Sequence, residues 1–144
     1  MSVAHILNDK GHEVIIAKPD STVSEVTLLL SKHDIGAVVI SKDSVTVQGI
    51  VSERDIVRQI CKNGPQVLQM HIESIMTANV YTARPDDRET ELMALMTERR
   101  IRHVPVMRDG RLAGMISIGD VVKQRIKEIE REAAEMKAYI STAY

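Results

Sequence analysis

Aromatic residues are almost missing from this sequence: its 144 residues include three Tyr and no Trp or Phe. Proteins that hold single-stranded nucleic acid stack the bases on aromatic rings, and that platform is absent here. An excess of charge of one sign is also lacking, with Lys+Arg 19 against Asp+Glu 20 and a net charge of -1. Such a chain has no overall field to draw it to a phosphate backbone or an anionic lipid surface, so neither nucleic acid nor membrane is an expected partner. The single cysteine, Cys61, excludes an internal disulfide, fits a reducing compartment and reads as a small buried hydrophobe. No apolar run approaches the ~20 residues of a membrane span, and residues 1–10 lack the basic start and long apolar stretch of a signal peptide. The expectation is a soluble, cytoplasmic protein. A chain of this length buries ~68–70% of its unfolded surface, enough for one core built from two halves.

What the sequence does have is an internal repeat. Sliding Val14–Ile40 by 66 positions onto Val80–Val106 matches Val14/Val80, Ala17/Ala83, Pro19/Pro85, Asp20/Asp86, Glu25/Glu91, Leu29/Leu95, Ile35/Ile101 and Val38/Val104. Further along the offset drops to 65, and Gly49, Ser52, Asp55 and Val57 fall on Gly114, Ser117, Asp120 and Val122. The change of offset coincides with a turn, where an insertion is tolerated.

Both copies read as β-α-β-β-α. Val14–Ala17 and Val80–Ala83 are β-prone runs stopped by Pro19 and Pro85, which lack the N–H a ladder needs. A helix follows, opened in the first copy by Thr22 and Glu25 as a capping box and in the second by Asp86 or Asp87. Ala37–Ile40 and Val104–Met107 are then strands, each with a turn at Asp43-Ser44 or Asp109-Gly110 and a second apolar run to Val51 or Ile116. Glu53–Cys61 and the chain from Gly119 onward return to helical patterning. His71–Thr77 reads as a short helix feeding the second copy, with Val3–Leu7 as its weaker counterpart. These patterns divide the chain into residues 1–64, 65–123 and a C-terminal helix, 124–144.

Along that last helix Val122, Ile126, Ile129, Ala133, Met136 and Ile140 recur with a 3.5-residue period. The seam suits contact along its own domain or a homodimer interface. Balanced charges on the other faces argue against a nucleic-acid helix.

Gly-x-x-Ser-x-x-Asp occurs twice, at Gly49/Ser52/Asp55 and Gly114/Ser117/Asp120. Each lies where a strand gives way to a helix, a junction with free N–H groups and the positive end of the helix dipole, which suits phosphate. An ionised Asp accepts both hydroxyls of a ribose, and Ser bonds a phosphate or ribose oxygen. The same spacing is also a plain helix cap that needs no ligand.

Two such units, with Arg102-His103-Val104-Pro105-Val106 in the second, resemble a tandem pair of CBS domains, the modules named after cystathionine β-synthase, of the small stand-alone bacterial type. The resemblance runs from about Val3 to Lys123. It implies an α/β (α+β) fold in which two β-α-β-β-α repeats meet about a pseudo-twofold axis, with two clefts that bind adenine nucleotides such as AMP, ATP or NAD(H). It implies a regulatory sensor, often a homodimer, that signals to a regulated protein partner. One cleft would take Val14, Ile15, Ile16, Gly36 and Ala37 with Ser117, Gly119 and Asp120. The other would take Thr77, Val80, Tyr81, Arg102 and His103 with Val51, Ser52, Arg54 and Asp55, its cations facing phosphate. The second has the more cationic complement, because Gly36-Ala37 aligns with Arg102-His103 and Gly119 with Arg54, and Arg binds phosphate in bidentate fashion.

No catalytic constellation is evident. His5, His12, His33, His71 and His103 form no His-x-x-x-His pair and do not stand with Cys61 at a metal-ligand spacing. Neither a nucleophile elbow nor a glycine-rich phosphate loop occurs. A non-catalytic ligand-binding module is expected, with a structural homodimerisation module as the alternative.

Overall fold

Proline stops the first strand of the chain after two residues. In the computed structural model, which describes residues 1–143, β1 (Ile16–Ala17) runs parallel to β2 (Ala37–Ile40), and β2 pairs antiparallel with β3 (Gly49–Ser52). The crossover helix α2 (Val23–His33) starts at Thr22, whose hydroxyl accepts the Glu25 N–H, and turns Val23, Val26 and Leu30 inward. Asp34 ends it in the left-handed region, φ 51°. β3 runs directly into α3 (Glu53–Asn63).

The second copy repeats this with α4 (Glu89–Arg99), β4 (His103–Arg108), β5 (Arg111–Ser117) and α5 (Ile118–Ala143). β4 and β5 form an antiparallel hairpin through Asp109 (φ 52°) and Gly110 (φ 76°), the two positive angles of a type I′ turn. Matching backbone bonds show that the sequence repeat is a structural one. Ala17 O accepts from Ser41 N at 3.0 Å and Ala83 O from Met107 N at 2.9 Å; Ile35 N donates to Leu30 O and Ile101 N to Met96 O, both at 3.1 Å.

Several expectations are corrected. Val80–Ala83 is not a strand: only Ala83 bridges Val106, because Val80 N folds back onto Ala78 O and draws the chain off the sheet. Neither Asp86 nor Asp87 caps α4. The Asp87 carboxylate instead accepts the Arg84 N–H at 2.8 Å, and the Glu89 N–H is satisfied by Met1 O at 2.9 Å. His71–Thr77 holds a single 3-10 turn, Ile72–Ser74, before Thr77 bridges Ile50 in extended form. Cys61 is exposed rather than buried, since the inward face of α3 is held by Ile56. The final helix starts at Ile118, one residue before the helical patterning read from Gly119, and Tyr144 lies outside the described residues.

The two halves exchange their leading segments. α1 (Val3–Lys10) inserts Val3, Ile6 and Leu7 into the core of the second copy, beside Leu92, Met96, Val104 and Ile116. The connecting segment inserts Val67 and Ile72 into the core of the first, beside Val23, Val38, Val51 and Ile56. The exchange is symmetric at an offset of 69. Met1 O accepts from Glu89 N as Met70 O does from Val23 N, both at 2.9 Å; Val3 N donates to Asp87 O at 2.8 Å as Ile72 N does to Ser21 O at 2.7 Å. Leu7 covers Gly114 as Met76 covers Gly49. A third cluster joins the halves, with Val14 and Ile16 against Ala37, Val39, Leu112 and Met115. Among the described residues no helix is long and apolar enough to cross a membrane.

Candidate functional site

Because strand β3 turns into α3 at Ser52 and the chain after α4 turns into β4 at Arg102, two junctions from different copies face one another. Backbone bonds fix both: Glu53 N donates to Gly36 O at 2.9 Å and Ile118 N to Arg102 O at 2.8 Å. Between them lies a cavity of about 550 Å³, within the range of small-molecule sites, ~300–1,000 Å³.

Ser52 and Asp55 close a capping box at the start of α3. The Ser52 hydroxyl accepts the Asp55 N–H at 3.2 Å, and Asp55 Oδ2 accepts the Ser52 N–H at 2.9 Å. Capping uses Oδ2; among the described residues Asp55 Oδ1 takes no hydrogen bond, and Asp55 lines the cavity. Thr77, Val80 and Tyr81 line the same wall, as do Arg54, Arg102 and His103. Eight residues expected to share one cleft therefore surround one opening; Val51, the ninth, is fully buried in the first core.

Five arginines line this cavity: Arg54, Arg58, Arg99, Arg100 and Arg102, against the acids Glu53 and Asp55. Among the described residues none of the five has a carboxylate within 4.0 Å. Arg99 stacks on Tyr81, 5.1 Å from the ring centroid, a cation–π contact. So much unpaired positive charge in one concavity raises the local concentration of anions. His103 adds little to it at neutral pH. Burial, partly opposed by Asp120 and Glu53, keeps its imidazole below the ordinary histidine value. The positive charge of the ligand-free cavity is therefore carried by its arginines.

The residues expected in the other cleft divide between two surroundings. Gly36, Ala37, Ser117 and Gly119 line the arginine-rich cavity, whereas Val14, Ile15, Ile16 and Asp120 do not. Val14 and Ile16, half-buried, pack at the contact between the halves, and Ile15, also half-buried, packs against the first core. Asp120 caps α5 with Ser117, as Asp55 caps α3, but its Oδ2 also lies 2.7 Å from Lys10 Nζ. Burial alone would raise that carboxyl; the Lys10 ammonium and the Ser117 N–H outweigh it and hold Asp120 below the ordinary Asp value.

Sequence reasoning missed Arg58, Asn79, Arg99 and Arg100. Arg58 was accessible, since it stands four residues after Arg54 and thus on the same helix face. Arg99 and Arg100 carry no motif, and they line the cavity because the left-handed Arg100, φ 54°, ends α4 beside it.

A duplicated α/β module with an anion-accepting cleft between its copies is the class of protein these features define. The chain belongs to the CBS domain family, whose model matches residues 3–62 and 72–127. It is similar to a CBS-domain containing protein of Agrobacterium tumefaciens, with 42% identity, TM-score 0.84, and 87% of this chain and 99% of that one covered. A CBS domain pair, protein MJ0100, solved with 5'-methylthioadenosine and S-adenosyl-L-methionine, superposes with TM-score 0.78 at 27% identity, covering 89% of this chain and 98% of that one. A CBS domain protein of Pyrobaculum aerophilum solved with AMP superposes with TM-score 0.73 at 25% identity, covering 83% and 89%.

Proposed function

We propose that the chain is a non-catalytic regulatory module that binds an adenine nucleotide in the arginine-lined cavity and reports its level to a protein partner. The observation that carries this reading is the wall shared by Asp55, with one carboxylate oxygen free for ribose hydroxyls, and five unpaired arginines. Val80, Ile50 and Ala37 supply apolar surface for the base. The AMP and S-adenosylmethionine complexes of similar proteins support an adenosyl ligand. The charge then orders the candidates: ATP and NAD(H), with more phosphate charge or reach than AMP, bind best, and the sulfonium cation of S-adenosylmethionine binds least. Because the cavity takes its walls from both copies, a ligand bound there is sensitive to their relative placement, and it shifts that placement only by its differential affinity.

Calorimetry with AMP, ATP, NADH and S-adenosylmethionine tests the reading. Dissociation constants from about 1 μM to 1 mM, or about -8 to -4 kcal/mol, are expected for the phosphorylated ligands. Absence of heat with all four rejects it.

Exposure of the α5 seam favours a second, compatible role in homodimerisation. Val122, Ile126, Ile129, Met136 and Ile140 are 48%, 51%, 53%, 62% and 51% exposed. The exposed, unpaired Cys61 fits a reducing compartment such as the cytoplasm.

A further inference from the structure

The twofold relation between the halves gives the cavity a mate. Through the offset of 69, the cavity residues Thr77, Asn79 and Tyr81 correspond to Asn8, Lys10 and His12. The mate acid of Asp55 is Asp120. In the first half, Ile50 O accepts from Thr77 N at 3.0 Å, which sends the chain out along the cavity wall. In the second half, α1 stays helical to Lys10, and the equivalent carbonyl, Met115 O, accepts from Lys10 Nζ at 2.7 Å. The same ammonium lies 2.7 Å from Asp120 Oδ2. His12 is likewise spent, its Nδ1 lying 3.3 Å from Ala113 O and its Nε2 3.2 Å from Asn8 Oδ1.

We infer that Lys10 is a tethered occupant of this second mouth, neutralising the acid that would hold a ligand and limiting the chain to one nucleotide. The inference rests on the nucleotide-binding reading of the first cavity. It also fixes the class of ligand that competes with Lys10. At the positions where the first mouth carries Arg102, His103 and Arg54, the mate carries Gly36, Ala37 and Gly119, so beside Asp120 these positions supply no guanidinium to meet a phosphate. The competitor is an uncharged nucleoside with a free ribose diol, able to bond Asp120.

Replacing the lysine leaves α1 attached, because Asp9 still accepts from Gln124 and pairs with Lys127 at 3.5 Å. The experiment is calorimetric stoichiometry with ATP and adenosine on the wild-type chain and on Lys10→Met, with folding verified by circular dichroism. One ATP per wild-type chain, and one ATP plus one adenosine per Lys10→Met chain, is the expected result. Two ligands on the wild-type chain, or no second ligand on the folded variant, overturns the inference while leaving the first cavity as the nucleotide site. Adenosine binding to Lys10→Met with no ATP binding to either chain overturns the functional reading and supports Lys10 as the occupant; no binding to either chain overturns both. Asp120→Asn in the otherwise unchanged chain adds a check that does not depend on the lysine variant folding. With Asp120 already occupied, ATP stoichiometry and affinity stay within threefold of wild type, and loss of a ligand overturns the inference.

Discussion

His103 lies across Gly36 so closely that a β-carbon on the glycine would stand 3.1 Å from its Cε1 and 3.2 Å from its Nε2. The two residues come from aligned ends of different copies, and their approach closes one wall of the cavity. Gly36 is not in a left-handed conformation, so Gly36→Ala costs no backbone strain and acts by displacing the imidazole. Folding should be destabilised by about 1 kcal/mol, the low end for overpacking, since the ring need move only a few tenths of an ångström. Nucleotide affinity should fall several-fold in calorimetry. Gly119→Ala is the control, because its nearest neighbour is Ser117 Oγ at 3.6 Å, and binding should be retained.

His103 should also make binding depend on pH. Its folded value lies below the ordinary 6.5, chiefly through burial, so without ligand its contribution to stability is intact above that value and is lost as pH falls below it. A bound phosphate beside Arg102 favours the imidazolium and raises the value. Affinity therefore rises as pH falls from 8 to 6, by up to about tenfold for each unit of upward shift. NADH is the suitable probe, since its pyrophosphate does not titrate in this range. The slope should vanish in His103→Gln; an unchanged slope would separate the imidazole from the phosphate.

Much of this architecture was legible because duplication preserves its hydrogen-bonded positions. Ala17/Ala83 and Ile35/Ile101 are identical pairs, and both carry matched backbone bonds. The exchange of leading segments was not legible. Aligned at an offset of 69, residues 2–10 and 71–79 share only Ile6/Ile75, so pairing Val3–Leu7 with His71–Thr77 did not show that each packs in the half it does not lead. Nor does a sequence show that Lys10 meets Asp120, since 110 positions separate them and the contact exists only after α1 has crossed to the far half. The Ser-x-x-Asp spacing left cap and ligand site open. The structure shows that both serve as caps, and that Asp55 reaches the cavity while Asp120 does not.

Glu89 occupies the position that aligns with Val23, the fully buried first residue of α2. It is 4% exposed, and its Oε1 has no hydrogen-bond partner. Burial, reinforced by Glu128 and opposed by Arg125 and the N-terminus, raises its carboxyl above the ordinary value. A raised acid is a penalty that is absent below the unfolded value and develops as pH rises through the folded one. Glu89→Val should thus stabilise the chain at pH 7 by about 1 kcal/mol, the scale of an unsatisfied buried polar group. The gain should be smaller near pH 4, where the ionisation penalty is absent, and thermal melts at the two pH values check both statements.

The α5 seam makes the last expectation. Val122, Ile126 and Ile129 are about half exposed on a helix whose opposite face, at Val121 and Gln124, is buried against its own half. An apolar stripe of 3.5-residue period matches a second copy of itself, and flanking pairs such as Arg125–Glu128 and Arg131–Glu135 leave charges of both signs to set the orientation. Light scattering should therefore report a dimer. The double change Ile126→Glu and Ile129→Glu should give a monomer whose nucleotide affinity stays within about threefold, since neither residue lines the cavity. Loss of binding along with the dimer would instead mean that the partner copy completes the site, and an unchanged mass would move the interface off α5.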